Sequence, residues 1–359
     1  MRKGRMNRRS FAGGLLAFGA STEALKAVAA LSVQPAEGTA RRAQLIKPAA
    51  LRPGDRVALI NPAGATTHRV EIEIITESMQ ALGLEVKRPR EPLRRYGYLA
   101  GTDEERADEF NEQFADASVR AVLAVRGGWG CARILPRIDY RLVRENPKIL
   151  VGYSDVTALL LAVHARTGLV TFHGPVGLGP WNPFTVDYFR SVLMDGTAVT
   201  YTNPRRKGNH LAQVEDRVET IRSGKAAGPL LGGNLTVLAA LMGSGYLPSW
   251  DGAVLFLEDI NENIYRIDRA LTQLRLAGVL DRIAGFVFGK CTECGPGEGY
   301  GSLTLEQVFD DHVLPLGIPA WQGAMIGHIS DKFTLPEGIP AEIDADLGTI
   351  RLLEAAVST

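Results

Sequence analysis

The chain has 359 residues, 45% of them hydrophobic, and its 40 basic residues balance 40 acidic ones for a formal net charge of zero. That length can bury one large core or two medium ones, and two domains is the better expectation. The balance excludes a bulk field that would draw the protein to nucleic acid or a membrane surface. Beyond the N-terminus no apolar run reaches the roughly 20 residues that span a bilayer.

The first thirty residues read as an export signal rather than as structure. Arg2, Lys3, Arg5, Arg8 and Arg9 form a basic leader, Phe11 to Ala20 is a short apolar stretch, and Ala27-Val28-Ala29 offers a small-x-small cleavage site. Arg8-Arg9 followed by Ser10-Phe11 resembles a twin-arginine signal, with an ordinary secretory signal as the alternative. Either route predicts a periplasmic or otherwise exported protein. A polar, Ala-rich linker over residues 31–50 follows.

From there the chain alternates strand and helix. Arg56 to Asn61 reads as a buried strand stopped by Pro62 and Gly64, residues 68–83 as a helix, and Thr102 to Ala115 as a second helix that Thr102 caps. Ala121 to Val125 is a strand ending in Arg126-Gly-Gly-Trp-Gly130. Lys148 to Val151 is a strand running into Gly152-Tyr-Ser-Asp155, and Val156 to Ala165 is helical. This order predicts an N-terminal α/β domain over residues 51–180, a doubly wound parallel sheet. Residues 181–224, with Pro183, Pro204 and the basic Arg205-Arg206-Lys207, read as an interdomain linker. A smaller mixed α/β domain over residues 225–355 follows. In it Gly232-Gly233-Asn234 opens a helix, Ala253 to Leu257 and Gly285 to Gly289 are strands, Tyr265 to Ala277 is a helix, and Thr349 to Leu353 closes the sheet.

Four features carry possible chemistry. Ser154 stands where a buried strand hands over to a helix, the setting of an acyl-transfer nucleophile, although Val156 replaces the second glycine of G-x-S-x-G. A serine there can equally be a helix N-cap. The glycines around Trp129 allow close backbone approach to a ligand, so the N–H groups of Gly128 and Asp155 could form an oxyanion hole; a tight turn is the plainer reading. Glu258 ends an apolar strand, where an open sheet places its ligands, or else it pairs with Arg266 or Arg269. His328 lies in a loop rich in turn residues, and His173, in Phe172-His-Gly-Pro175, is its nearest competitor as a base. Cys291 and Cys294 form C-x-x-C without the second pair a zinc site needs. A local disulfide and a pair of incidental thiols both remain open.

Taken together, Arg126-Gly-Gly-Trp-Gly-Cys-Ala-Arg133, Gly152-Tyr-Ser-Asp155, Gly232-Gly-Asn234, Leu257-Glu-Asp259 and Gly327-His328 resemble the ordered motifs of LD-carboxypeptidases, with Tyr98-Leu-Ala-Gly-Thr102, Arg106 and Tyr265-Arg-Ile-Asp-Arg269 also fitting. The resemblance runs from about Arg56 to Leu353. It departs at Trp129, where a tyrosine is common, and at Ile329, often a glycine.

The resemblance implies a Ser154–Glu258–His328 triad, oxyanion donors at Gly128 and Asp155, and no metal or organic cofactor. It also implies cleavage of the L-D amide bond that releases terminal D-alanine from a murein tetrapeptide, and a homodimer. Trp129 and Asn234 are expected in the substrate pocket. A hydrolase of a peptide antibiotic is the alternative enzyme. A non-catalytic periplasmic binding protein is the alternative class, against which the complete Ser/Glu/His set argues.

Overall fold

Two sheets organise the chain, one nearly all parallel and one mixed. The computed structural model describes residues 45–297 and 301–359, so the expected export signal and most of the linker after it lie outside the described residues. The end of that linker is already part of the fold: Ile46 N donates to Gly168 O and Ala50 N to Ser358 O, each at 2.8 Å.

The first sheet has six strands, in the spatial order Leu335–Pro336, Phe172–His173, Ile149–Gly152, Val119–Ala124, Arg56–Ile60 and Glu85–Lys87. Five run parallel; Leu335–Pro336 is antiparallel and comes from far along the chain. The near-continuous apolar runs of its central strands follow from burial on both faces. Val57 and Leu59 enter one core while Ala58 and Ile60 enter another, as the two-residue period of a strand requires.

The helix Asp103–Ala115 begins at a reciprocal capping box, in which Glu105 N donates to Thr102 Oγ1 at 3.2 Å and Thr102 N to Glu105 Oε2 at 2.8 Å. It packs Phe110 and Phe114 against the outer face, together with the helix Thr157–Thr167.

The second sheet has eight strands in the order Thr200–Thr202, Thr349–Leu352, Pro340–Asp344, Lys225–Asn234, Val254–Ile260, Gly285–Thr292, Ala320–Gln322 and Glu219–Arg222. The four consecutive strands from Lys225–Asn234 to Ala320–Gln322 are parallel and the rest pair antiparallel. The helices Leu235–Ala240, Ile264–Leu276 and Leu305–His312 cover one face with an apolar cluster of their own. The other face shares a core with the six-stranded sheet: Val151 and Phe172 lie in the same cluster as Phe256, Val287 and Ile343.

The stretch 181–224, expected as a linker, holds regular structure. Pro183 sits in the first turn of the helix Pro183–Leu193, and Asn182 caps it by accepting from Thr185 N at 3.0 Å. Thr200–Thr202 and Glu219–Arg222 are the two edges of the larger sheet. Strands of three and four residues are too short to show a two-residue apolar alternation in sequence.

Candidate active site

The strand Ile149–Gly152 ends in a turn that gives Ser154 a φ of 62°. The left-handed region is costly for a residue with a Cβ, and such strain clusters at functional turns. Ser154 does not cap the helix that follows, and its Oγ has no hydrogen-bond partner among the described residues. The reading of Ser154 as an N-cap therefore fails.

The Arg126–Gly130 loop lies directly against this serine. A methyl group at Gly127 would stand 2.9 Å from Ser154 Cβ, 3.0 Å from its Oγ and 3.5 Å from Asp155 N, so only glycine admits the approach. Asp155 ties loop and turn together, its Oδ2 accepting from Cys131 N at 2.8 Å. Burial pushes the Asp155 carboxyl up, and the Cys131 N–H opposes that. Buried Arg106 fastens the loop from behind, donating to the carbonyls of Gly130, Gly101 and Pro62 and to Asp103 Oδ1. Gly128 N–H has no partner among the described residues. Asp155 N–H, second in a 3-10 turn, has no intrahelical acceptor. These two donors stand beside an unbonded hydroxyl. Trp129, 70% exposed, is the rim of the loop rather than its floor.

Glu258 was expected at the end of a strand. It lies inside Val254–Ile260 instead, fully buried. Both its oxygens are engaged: Asn234 Nδ2 donates to Oε1 at 3.1 Å, and His328 Nδ1 lies 2.9 Å from Oε2. Among the described residues no arginine pairs with it. Arg266 meets Glu262, and Arg269 lies over the Tyr265 ring. A carboxylate can only accept, so the proton in this contact belongs on His328 Nδ1, and in the neutral tautomer Nε2 is the nitrogen left with a lone pair. The His328 ring is only 15% exposed, not a solvated loop histidine, and it packs edge-on against Tyr153 with centroids 4.8 Å apart. The tyrosine preceding Ser154 thus touches the histidine held by Glu258.

Asn234, expected in the substrate pocket, is buried. Besides Glu258 its amide donates to Asp259 Oδ1 at 3.1 Å, and its Oδ1 accepts from Val237 N. Burial and then the charge of Glu258 push Asp259 up to about 6. His173 is buried with neither ring nitrogen hydrogen-bonded, and burial holds it down to about 4. It is a neutral wall near Tyr153 and Phe256.

Sequence reasoning passed over two residues. Lys332, 2% exposed, sits with Nζ 4.1 Å from the Tyr153 ring centroid; burial pulls it down to about 8, and Glu258 partly opposes this. Its only sequence signal is that it precedes the apolar Phe333–Pro336 run. Thr292 donates from Oγ1 to His328 O at 3.1 Å. Cys291 and Cys294, on either side of it, form a disulfide. Among the described residues no group of three or more His, Cys, Asp and Glu side chains could hold a metal ion.

A serine on a left-handed turn next to free N–H donors, and a histidine held by a buried carboxylate and packed on the tyrosine before that serine, is a set of groups suited to acyl transfer. The comparisons agree with it. Residues 57–174 match the model of the LD-carboxypeptidase N-terminal domain, and residues 227–343 match that of the LD-carboxypeptidase C-terminal domain.

A Bacillus subtilis (strain 168) protein named "Probable murein peptide carboxypeptidase" is 39% identical over 317 residues, 87% of this chain and 95% of that one. The murein tetrapeptide carboxypeptidase of Pseudomonas aeruginosa is 33% identical over 299 residues, 81% of this chain and 94% of its own length. The solved structure of the microcin C7 self-immunity protein MccF superposes with a TM-score of 0.79 at 28% identity, covering 87% of this chain and all of that one. The chain belongs to the LD-carboxypeptidase family and is a serine-type carboxypeptidase.

Proposed function

We propose that the protein hydrolyses the L-D amide bond that joins a terminal D-alanine to a murein tetrapeptide, through a Ser154–His328–Glu258 triad. The observation that carries the reading is the 2.9 Å contact of His328 Nδ1 with fully buried Glu258, in a histidine that packs on Tyr153, the residue before a serine held in the left-handed region.

In this mechanism His328 Nε2 takes the Ser154 proton as Oγ attacks the scissile carbonyl carbon. The N–H groups of Gly128 and Asp155 hold the oxyanion. Collapse expels the D-alanine amine, which His328 protonates, and water then cleaves the acyl-enzyme by the same base. Glu258 orients the imidazole and balances its charge when it becomes imidazolium.

Export to the periplasm is part of the proposal, by the twin-arginine route. Its supports are the Arg8-Arg9 leader and the Cys291–Cys294 disulfide, which suits an oxidising compartment. N-terminal sequencing of the protein recovered from periplasm should begin near Ala30.

The test of the activity is release of D-alanine from a purified murein tetrapeptide, scored by mass spectrometry, with Ser154→Ala as the control. The likeness to MccF favours one second reading, cleavage of an amide in a peptide antibiotic. An enzyme that spares the tetrapeptide yet is labelled at Ser154 by a fluorophosphonate would move the substrate to that class.

A further inference from the structure

We propose that Thr292 is a positioning residue for His328, and that the Cys291–Cys294 disulfide makes this positioning depend on redox state. The inference rests on His328 acting as the base, as above. His328 is mounted at two points: its ring on Glu258 and its carbonyl on Thr292 Oγ1, the sole donor to that oxygen among the described residues. The two mounts come from neighbouring strands, since Cys291 pairs with Asp259 and Thr292 with Ile260. Fixing both the backbone and the ring of a loop histidine leaves its Nε2 little freedom, and that is the condition a proton-transferring group must meet.

The turn that presents Thr292 is not a relaxed one. Glu293 has a φ of 55°, unfavourable for a residue with a side chain. The bond between Cys291 and Cys294 closes the turn across that residue. Its surroundings hold the sheet side: Asn261 N donates to Thr292 O at 2.8 Å, and Lys290 N to Ile326 O at 3.0 Å. With the bond intact, the hydroxyl that reaches His328 sits in the middle of a four-residue ring of backbone. A dithiol reductant would transfer two electrons and two protons to the two sulfurs, giving two thiols and leaving the reductant as its own disulfide. Glu293 is then free to leave the left-handed region, and the Thr292 side chain loses the constraint that points its hydroxyl at the His328 carbonyl.

The test uses the purified protein, with D-alanine release for kcat and KM and fluorophosphonate labelling of Ser154 as a readout independent of substrate. Thr292→Val removes the donor and keeps the shape; it should lower kcat by roughly five- to thirty-fold with KM nearly unchanged, and Thr292→Ser should restore it.

Reduction by dithiothreitol should raise the thiol count in denaturant from one, that of Cys131, to three, and should lower kcat to about the Thr292→Val level. Reoxidation should restore it. Reduction of Thr292→Val should cost little more, because both changes remove one contact and do not add. Full kcat and full labelling in the reduced protein with three thiols would overturn the proposal, as would an unimpaired Thr292→Val or three thiols in the untreated protein. An oxidised wild type inert to both the tetrapeptide and the probe would instead overturn the triad on which it rests.

Discussion

Lys332→Met should stabilise the protein at neutral pH, although it removes a charged side chain packed beside the triad. The lysine is 2% exposed, and burial lowers it from 10.5 to about 8. At about 1.4 kcal/mol per pH interval of one, that gap places a ceiling of about 3 kcal/mol on the penalty of keeping the ammonium charged in the fold. The Tyr153 ring, 4.1 Å from Nζ, returns part of this, about 1–2 kcal/mol for a desolvated cation on a π face. Methionine fills nearly the same volume without a charge. The expected gain is therefore about 1–2 kcal/mol.

Its pH dependence follows from where the protons sit. Below pH 8 the lysine is protonated in both folded and unfolded chains, and the full penalty applies. Between pH 8 and 10.5 the folded chain sheds the proton while the unfolded chain keeps it, so wild-type stability rises. The advantage of methionine should thus be largest at pH 7 and nearly gone by pH 10.5. Urea unfolding of both proteins at pH 7 and pH 10, with equal slopes, measures it. A variant less stable than wild type at pH 7, or a gain that persists at pH 10, would refute the reasoning.

Other expectations follow from the same site. His173 is held near 4 while its unfolded form titrates at 6.5, so the stability it contributes is complete above pH 6.5 and lost as pH falls toward 4. His173→Gln should flatten that acid slope, worth about 3 kcal/mol at most, in thermal unfolding across pH 4–7. Asn234→Ala strips the shared amide from Glu258 Oε1 and Asp259 Oδ1; it should cost about 2 kcal/mol in urea unfolding and lower kcat more than it raises KM. Ser154→Ala and His328→Ala should each reduce D-alanine release by several orders of magnitude, with Glu258→Gln less damaging because an amide still meets the imidazole.

The parts of this site legible in the sequence are those set by local chemistry. The apolar run Lys148 to Val151 leading into Gly152-Tyr-Ser-Asp155 reads as strand into helix and is found as Ile149–Gly152, and Thr102 reads as a cap and is found as one, with Glu105 completing the box. Glu258 has the local signal of an apolar strand before it, whereas His328 is marked by the family motifs alone, since nothing local distinguishes it from other loop histidines. What could not be read depends on partners distant in sequence. Leu335–Pro336 is a strand only because His173 pairs with Leu335. Lys332 follows Ser330 and Asp331, a polar context that suggests solvent. Its burial comes from Thr185, whose Oγ1 accepts from Lys332 N at 3.2 Å, and from the Tyr153 ring. The family resemblance places Asn234 in the substrate pocket; its register opposite Glu258, which makes its amide a brace for that carboxylate, could not be read locally.

That register explains why the base needs three separate motifs. Asn234 stands directly opposite Glu258 in the paired strands, so its amide reaches one carboxylate oxygen and leaves the other for His328. The loop carrying His328 must then pass close to this second oxygen. A methyl group at position 327 would lie 2.6 Å from Glu258 Oε2, and Gly327 has a φ of +114°. Any other residue there would both strain the backbone and push against the acceptor. The glycine before the histidine, the asparagine after the paired glycines and the glutamate between leucine and aspartate are therefore one device. Each is required by the position of the other two, and together they aim a single imidazole toward the serine turn.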